Sequence, residues 1–206
     1  MVNEDLDEWL ELSDRLQFVD EARASETGLA EFGHHIAGIP MTNVESLTQA
    51  ELDQHFLRHS FAVARRSMSN GNHPFGAILV DRNRTVLIET ENGYMPARDG
   101  TAHAERLLAT EACRTVKAEV LAGATIYSSA EPCAMCAGAI YWAGIGRLVY
   151  GLSEQRLRGI TGNHPENPTL DLPCRTVFAS GQRATDVIGP LLEDEAAALH
   201  DGVWGK

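Results

Sequence analysis

His103 and Glu105 stand two apart in "TAHAE", and Cys133 and Cys136 stand three apart in "EPCAMC" further along the chain. Imidazole and thiolate are the donors zinc prefers, and a catalytic zinc site takes three protein ligands and leaves its fourth position to water. His103, Cys133 and Cys136 supply three. Two cysteines three apart at the start of a helix share one face, where the helix dipole and unpaired N–H groups favour thiolate. Glu105, two residues from His103, points elsewhere on a straight helix and does not serve as a fourth ligand. It is placed to take a proton from water beside the metal and hand it to a leaving group. Each half is ambiguous alone, since a CxxC also serves redox and structural sites and a His-x-Glu arises by chance in helices. A closed structural zinc site needs four ligands, and neither Cys113 nor Cys174 has a paired spacing; both read as buried small side chains.

The elements that must position these groups follow from periodicity. From Leu52 an apolar stripe of Leu52, Phe56 and Val63, flanked by Leu57 and Ala64, predicts a helix ahead of "SNGNHPFG". "GAILV" and "TVLIET" read as strands of a hairpin joined by the polar turn "DRNR". "GTAHAERLLATEACRTV" reads as a helix, "GATIYSSA" as a buried strand, "EPCAMCAGAIYWAG" as a helix with Pro132 in its first turn, and "RLVYGL" as a strand. "CRTVFASG" is expected to extend the sheet, and "IGPLLEDEAAALHDGVW" to form a last helix. This alternation predicts an α/β fold, a three-layer α/β/α sandwich with helices on both faces of a mixed sheet. "RGITGNHPENPTLDLPC" lacks periodicity and reads as an ordered loop over the pocket or over a seam between subunits, with His164 solvated. Residues 1–48 read as an acidic helical arm, with Trp9, Leu12, Leu16 and Val19 on one face, and residues 49–206 as the principal domain.

Composition bounds what such a site can serve. The chain has 206 residues, and 17 Lys+Arg against 29 Asp+Glu give a net charge of −12. No basic run of five occurs, which argues against nucleic acid or an anionic membrane as the main partner. No stretch approaches a membrane span and "MVNEDLDEWLELSD" is no signal peptide, so a cytoplasmic location is expected. Four cysteines are too few for a disulfide scaffold.

His103-x-Glu105 with Pro132-Cys133-x-x-Cys136 matches the H-x-E…P-C-x-x-C signature of zinc deaminases. "HAE" and "EPCAMCAGAIYWA" resemble the cytidine deaminase-like superfamily, in the branch holding guanine deaminases, fungal-type cytosine deaminases and bacterial tRNA adenosine deaminases. The resemblance covers about residues 50–206. "HPFGAILV" is similar to that family's first strand, and "RDGTAHAE" to its segment "DPTAHAE", with Gly100 in place of proline. What the resemblance implies is a five-stranded sheet, one Zn2+ per subunit, and a homodimer or larger oligomer whose subunits complete each other's pockets. It also implies Glu105 as the proton shuttle, with the Asn92 amide and the Ala104 N–H holding polar atoms of the substrate ring. Phe75, Pro132 and Trp142 become candidate pocket walls, and Trp204 a C-terminal aromatic closing the pocket. Phe75 and Trp142 fit a hydrophobic core equally well, and Asn92 also fits a turn cap.

The expected substrate is a small free nucleobase or nucleoside rather than a polynucleotide, with a guanine-type aminopurine favoured. Guanine deaminases carry an acidic residue a few positions after the strand that "RLVYG" resembles, and alignment there leaves Glu154 and Arg156 as alternatives. A carboxylate accepts from guanine's N1–H and 2-amino donors, whereas arginine has no acceptor. Cytosine, another pyrimidine and an adenosine-type substrate stay as alternatives, beside a non-catalytic zinc-binding interaction protein and a CxxC oxidoreductase.

Overall fold

A computed structural model describes residues 46–162 and 164–205; the proposed N-terminal arm, up to residue 45, lies outside the described residues. Helix α1 (Gln49–Ser69) begins where Thr48 and Glu51 form a reciprocal capping box, each side chain accepting from the other's backbone N–H. Its predicted stripe of Leu52, Phe56, Leu57, Val63 and Ala64 is buried. Strand β1 (Gly76–Val80) runs so close to this helix that a Cβ on Gly76 would lie 2.5 Å from the Ala64 nitrogen. Only glycine fits there. Asp81 accepts the N–H groups of Asn83 and Thr85 to close the turn into β2 (Val86–Glu91), which completes the expected hairpin.

Helices α2 (Ala104–Thr115) and α3 (Ala118–Leu121) lead to β3 (Thr125–Ala130); α4 (Ala134–Ala143) leads to β4 (Arg147–Leu152). Then come α5 (Glu154–Thr161), α6 (Cys174–Ala179), β5 (Asp186–Ile188), α7 (Glu193–Ala197) and a 3-10 turn, Ala198–His200. The sheet has five strands in the order β2-β1-β3-β4-β5, with β1 antiparallel to both neighbours and β3, β4 and β5 parallel. Strand alternation splits the core: Ala77, Leu79, Ile126, Leu148 and Tyr150 pack with α2, α4 and α6, while Ile78, Val80, Tyr127 and Val149 pack with α1 and α7. The result is the expected α/β/α sandwich. A buried polar knot ties its second face: Arg147 donates to both Asp53 oxygens at 2.7 Å, Tyr127 donates to the same carboxylate at 3.0 Å, and Arg147 also reaches Asp186.

The last third departs from the sequence reading. "CRTVFASG" forms helix α6, not a strand, and the fifth strand comes from Asp186–Ile188, part of which was assigned to the last helix. Pro190 and a left-handed Leu192 (φ 54°) keep that helix from starting before Glu193. Residues 158–161 of the expected loop belong to α5. Cys174 is buried as expected, but Cys113 is exposed.

Candidate active site

Strands β2 and β3, both antiparallel to β1, run in the same direction and are followed by α2 and α4 respectively. His103 is the N-cap of α2 and Cys133 the N-cap of α4, with Pro132 one position before that cap rather than inside the first turn. Cys136 follows in the first turn of α4. His103 Nδ1 lies 3.7 Å from the Cys133 sulfur and 3.6 Å from that of Cys136, and the three donor atoms fall within 4.8 Å of one another. One imidazole and two thiols on two helix starts fit a zinc ion with a further position open to a ligand. Hydrogen bonding with Cys136, then with His103, draws the Cys133 thiol down to about 4, while that pairing and burial push Cys136 up. The hydrogen bond to Cys133 raises His103 in turn.

Glu105 lies one residue into α2 beyond Ala104 and is only 5% exposed. Burial pushes its carboxyl above the usual carboxylate range. Ser128 of β3 donates to its Oε1 at 2.8 Å, leaving the second oxygen for other work. Ser128 was missed in the sequence, although period-two alternation in "TIYSSA" places it on the same face as Ile126, toward α2. Glu131 was also missed: its two oxygens accept the N–H groups of Glu154 and Cys174, at 3.1 and 3.0 Å, tying the starts of α5 and α6 to the segment before Cys133.

The remaining sequence candidates divide. Asn92 is buried at the end of the hairpin, its N–H donating to the Phe75 carbonyl and its Oδ1 accepting from Tyr94 N–H. Ala104 is buried, and its carbonyl accepts from the Thr90 hydroxyl. Pro132 is buried. Phe75 is half-buried against His200 and Trp204. Trp204 is itself buried, stacked on His73 with centroids 5.2 Å apart and met edge-on by His164, which is therefore half-buried rather than solvated. Trp142, read as a wall, is 80% exposed. Glu154 and Arg156 have different surroundings. Arg156 turns to the surface, pairing with Asp194 at 2.7 Å and Glu193 at 3.7 Å. Glu154 is half-buried, and its burial, with the charges of Cys133, Glu131 and Glu105 nearby, pushes its carboxyl up to about 7.

Comparison with known proteins agrees with this arrangement. Residues 50–152 match the cytidine and deoxycytidylate deaminase zinc-binding region. A probable cytosine deaminase of Schizosaccharomyces pombe is 37% identical over 161 residues, covering 78% of this chain and 98% of that protein. A tRNA:A34 deaminase structure, studied for A-to-I editing at the wobble position, is 32% identical with a TM-score of 0.55, covering 71% of this chain and 99% of the other. The guanine deaminase of Nitrosomonas europaea superposes with a TM-score of 0.59 at 25% identity, over 84% of this chain and 97% of that one. With the matched region spanning the hairpin, both zinc-ligand helices and β4, the chain belongs to the cytidine and deoxycytidylate deaminase family.

Proposed function

We propose that this protein hydrolytically removes an exocyclic amine from a free nucleobase or nucleoside, with a guanine-type aminopurine as the favoured substrate. The observation that carries the reading is the buried Glu105 carboxyl beside the His103, Cys133 and Cys136 cluster. A structural zinc site has no use for such a group.

His103, Cys133 and Cys136 would hold the zinc. When bound there, it supplies Lewis acidity that makes water nucleophilic at neutral pH. Glu105 takes the proton of the attacking water as the new C–O bond forms at the amine-bearing ring carbon. It then delivers that proton to the departing nitrogen, so that the C–N bond breaks to ammonia. Ser128 fixes the carboxylate for both transfers. The Tyr94 N–H turns the Asn92 amide so that its own N–H donors remain for ring acceptors, and the Ala104 N–H adds a donor at the start of α2. Pro132 and Phe75 wall the ring, and Trp204 closes the Phe75 side.

A half-buried Glu154 that senses the charges of Cys133 and Glu105, with Arg156 paired at the surface, supports a ring that presents N–H donors, as guanine does. A second reading, cytosine, is favoured by the nearly full-length coverage of the Schizosaccharomyces pombe relative. The net charge of −12 weighs against a tRNA substrate despite the tRNA-acting relative. The exposed Trp142 supports assembly as a homodimer.

Ammonia release by zinc-loaded protein from guanine, guanosine, cytosine, cytidine, adenine and adenosine tests the reading. Turnover of guanine is expected, falling by about 10²–10⁴ in Glu105→Gln with zinc content unchanged. Retained turnover in that variant, or silence toward every compound, overturns the assignment.

A further inference from the structure

Glu131 lies between the end of β3 and the zinc-ligand turn, with only Pro132 between it and Cys133. Its backbone N–H donates to the Leu152 carbonyl at 2.7 Å, which ties this segment to the end of β4. Its side chain accepts from two further backbone donors, Glu154 N–H on one oxygen and Cys174 N–H on the other. Glu154 and Cys174 are the first residues of α5 and α6. An N–H at that position has no partner within its own helix. The N-cap side chains do not supply one: the Ser153 hydroxyl accepts from Arg156 N–H, and Pro173 has no side-chain acceptor. One carboxylate therefore closes two helix starts that residues 162–173 separate in the chain.

The start of α5 is held from a second direction. Glu193 of α7 accepts from the Ser153 N–H at 3.1 Å and from the Ser153 hydroxyl. With Ser153 tied to Glu193 and the Glu154 N–H tied to Glu131, the backbone that carries the Glu154 side chain is fixed on both sides. The Glu154 carboxyl lies near the zinc-ligand turn, since burial and then the charges of Cys133, Glu131 and Glu105 push it up to about 7.

We propose that Glu131 is a positioning residue for substrate recognition, which holds the first turn of α5 to the cysteine turn and so sets where the Glu154 carboxylate meets the ring. The proposal rests on the deaminase reading above and on Glu154 as its ring acceptor. An ionised carboxylate suits the task because both oxygens accept, whereas a glutamine amide turns a donor toward one of the two N–H groups. A displaced acceptor weakens binding of the ring and leaves the metal ligands and Glu105 in place.

The test uses zinc-loaded protein and the compound of the panel above that the wild type turns over fastest. Glu131→Ala is expected to raise KM about tenfold, with kcat within about threefold and zinc content unchanged. Glu131→Gln, which keeps one acceptor, recovers part of the loss. In a Glu154→Gln background, Glu131→Ala is expected to add less than about twofold, because both changes remove the same interaction. An additive loss shows a packing role, and a loss of zinc shows that Glu131 serves the cysteine turn instead; either overturns the proposal, as does an unchanged KM. Amide hydrogen exchange reads the contact without turnover. The Glu154 N–H is expected to exchange at least about tenfold faster in Glu131→Ala, while the Ala137 N–H, bonded to the Cys133 carbonyl, keeps its rate. Unchanged exchange at Glu154 in an active enzyme counts against Glu131 alone. A wild type inert toward every compound overturns the deaminase reading, and recognition through Glu154 with it, whatever the exchange rates.

Discussion

Ser128 shows how one side chain outside the motif governs a group within it. A carboxylate that must first accept and then release a proton needs a fixed oxygen, and the 2.8 Å bond to Glu105 Oε1 supplies that restraint. Ser128 is a positioning residue, so Ser128→Ala is expected to lower kcat by about tenfold while KM and zinc content barely change. Steady-state kinetics with metal analysis separates this from a packing defect, which would lower zinc occupancy with kcat. Glu105 and the zinc ligands were legible in the chain because each identity is chemically demanding. Ser128 was not, because a buried serine in a strand carries no signature until its neighbour across the layer is known.

Among the elements, two helix starts do most of the positioning. His103 and Cys133 are both N-caps whose side chains make no cap hydrogen bond, which leaves imidazole and sulfur for a metal. The helices hold their places because the sheet beneath them is anchored from the opposite face, by α1 through Asp53, Arg147 and Tyr127. Breaking a buried ion pair by removing one partner leaves an uncompensated charge. Asp53→Ala leaves Arg147 with Asp186 alone, and a loss of about 3 kcal/mol in unfolding free energy is expected. Urea denaturation measures it; a change below about 1 kcal/mol, the range of an exposed pair, would remove Asp53 from the anchoring role.

At the scale of the whole molecule, Trp142 is the outlier. It follows the zinc-ligand turn on α4 and is 80% exposed, although an indole is among the costliest side chains to leave in water. The homodimer proposed above would cover it with a second copy of the chain. Trp142→Glu is expected to shift the sedimentation coefficient from dimer to monomer without unfolding the domain. A wild-type protein that sediments as a monomer at micromolar concentration would remove the homodimer from the functional reading. Among the described residues no helix is long and apolar enough to cross a membrane.

The amino-acid sequence by itself determined the chemistry and most of the layers. Spacing along a helix start and period-two alternation along a strand are local geometry, so His103, Cys133, Cys136 and the order of elements through β4, apart from the short α3, could be read directly. The tertiary structure alone decided matters that depend on neighbours distant in the chain. "CRTVFASG" became a helix because its starting N–H is capped by Glu131, far away in sequence, while the sheet edge was taken by Asp186–Ile188 beside β4. Arg156 lies at the surface because its partners, Glu193 and Asp194, come from a helix distant in the chain, while Glu154 two residues earlier is half-buried. Burial and hydrogen-bond partnership are properties of packing, and packing brings together residues that no local pattern relates.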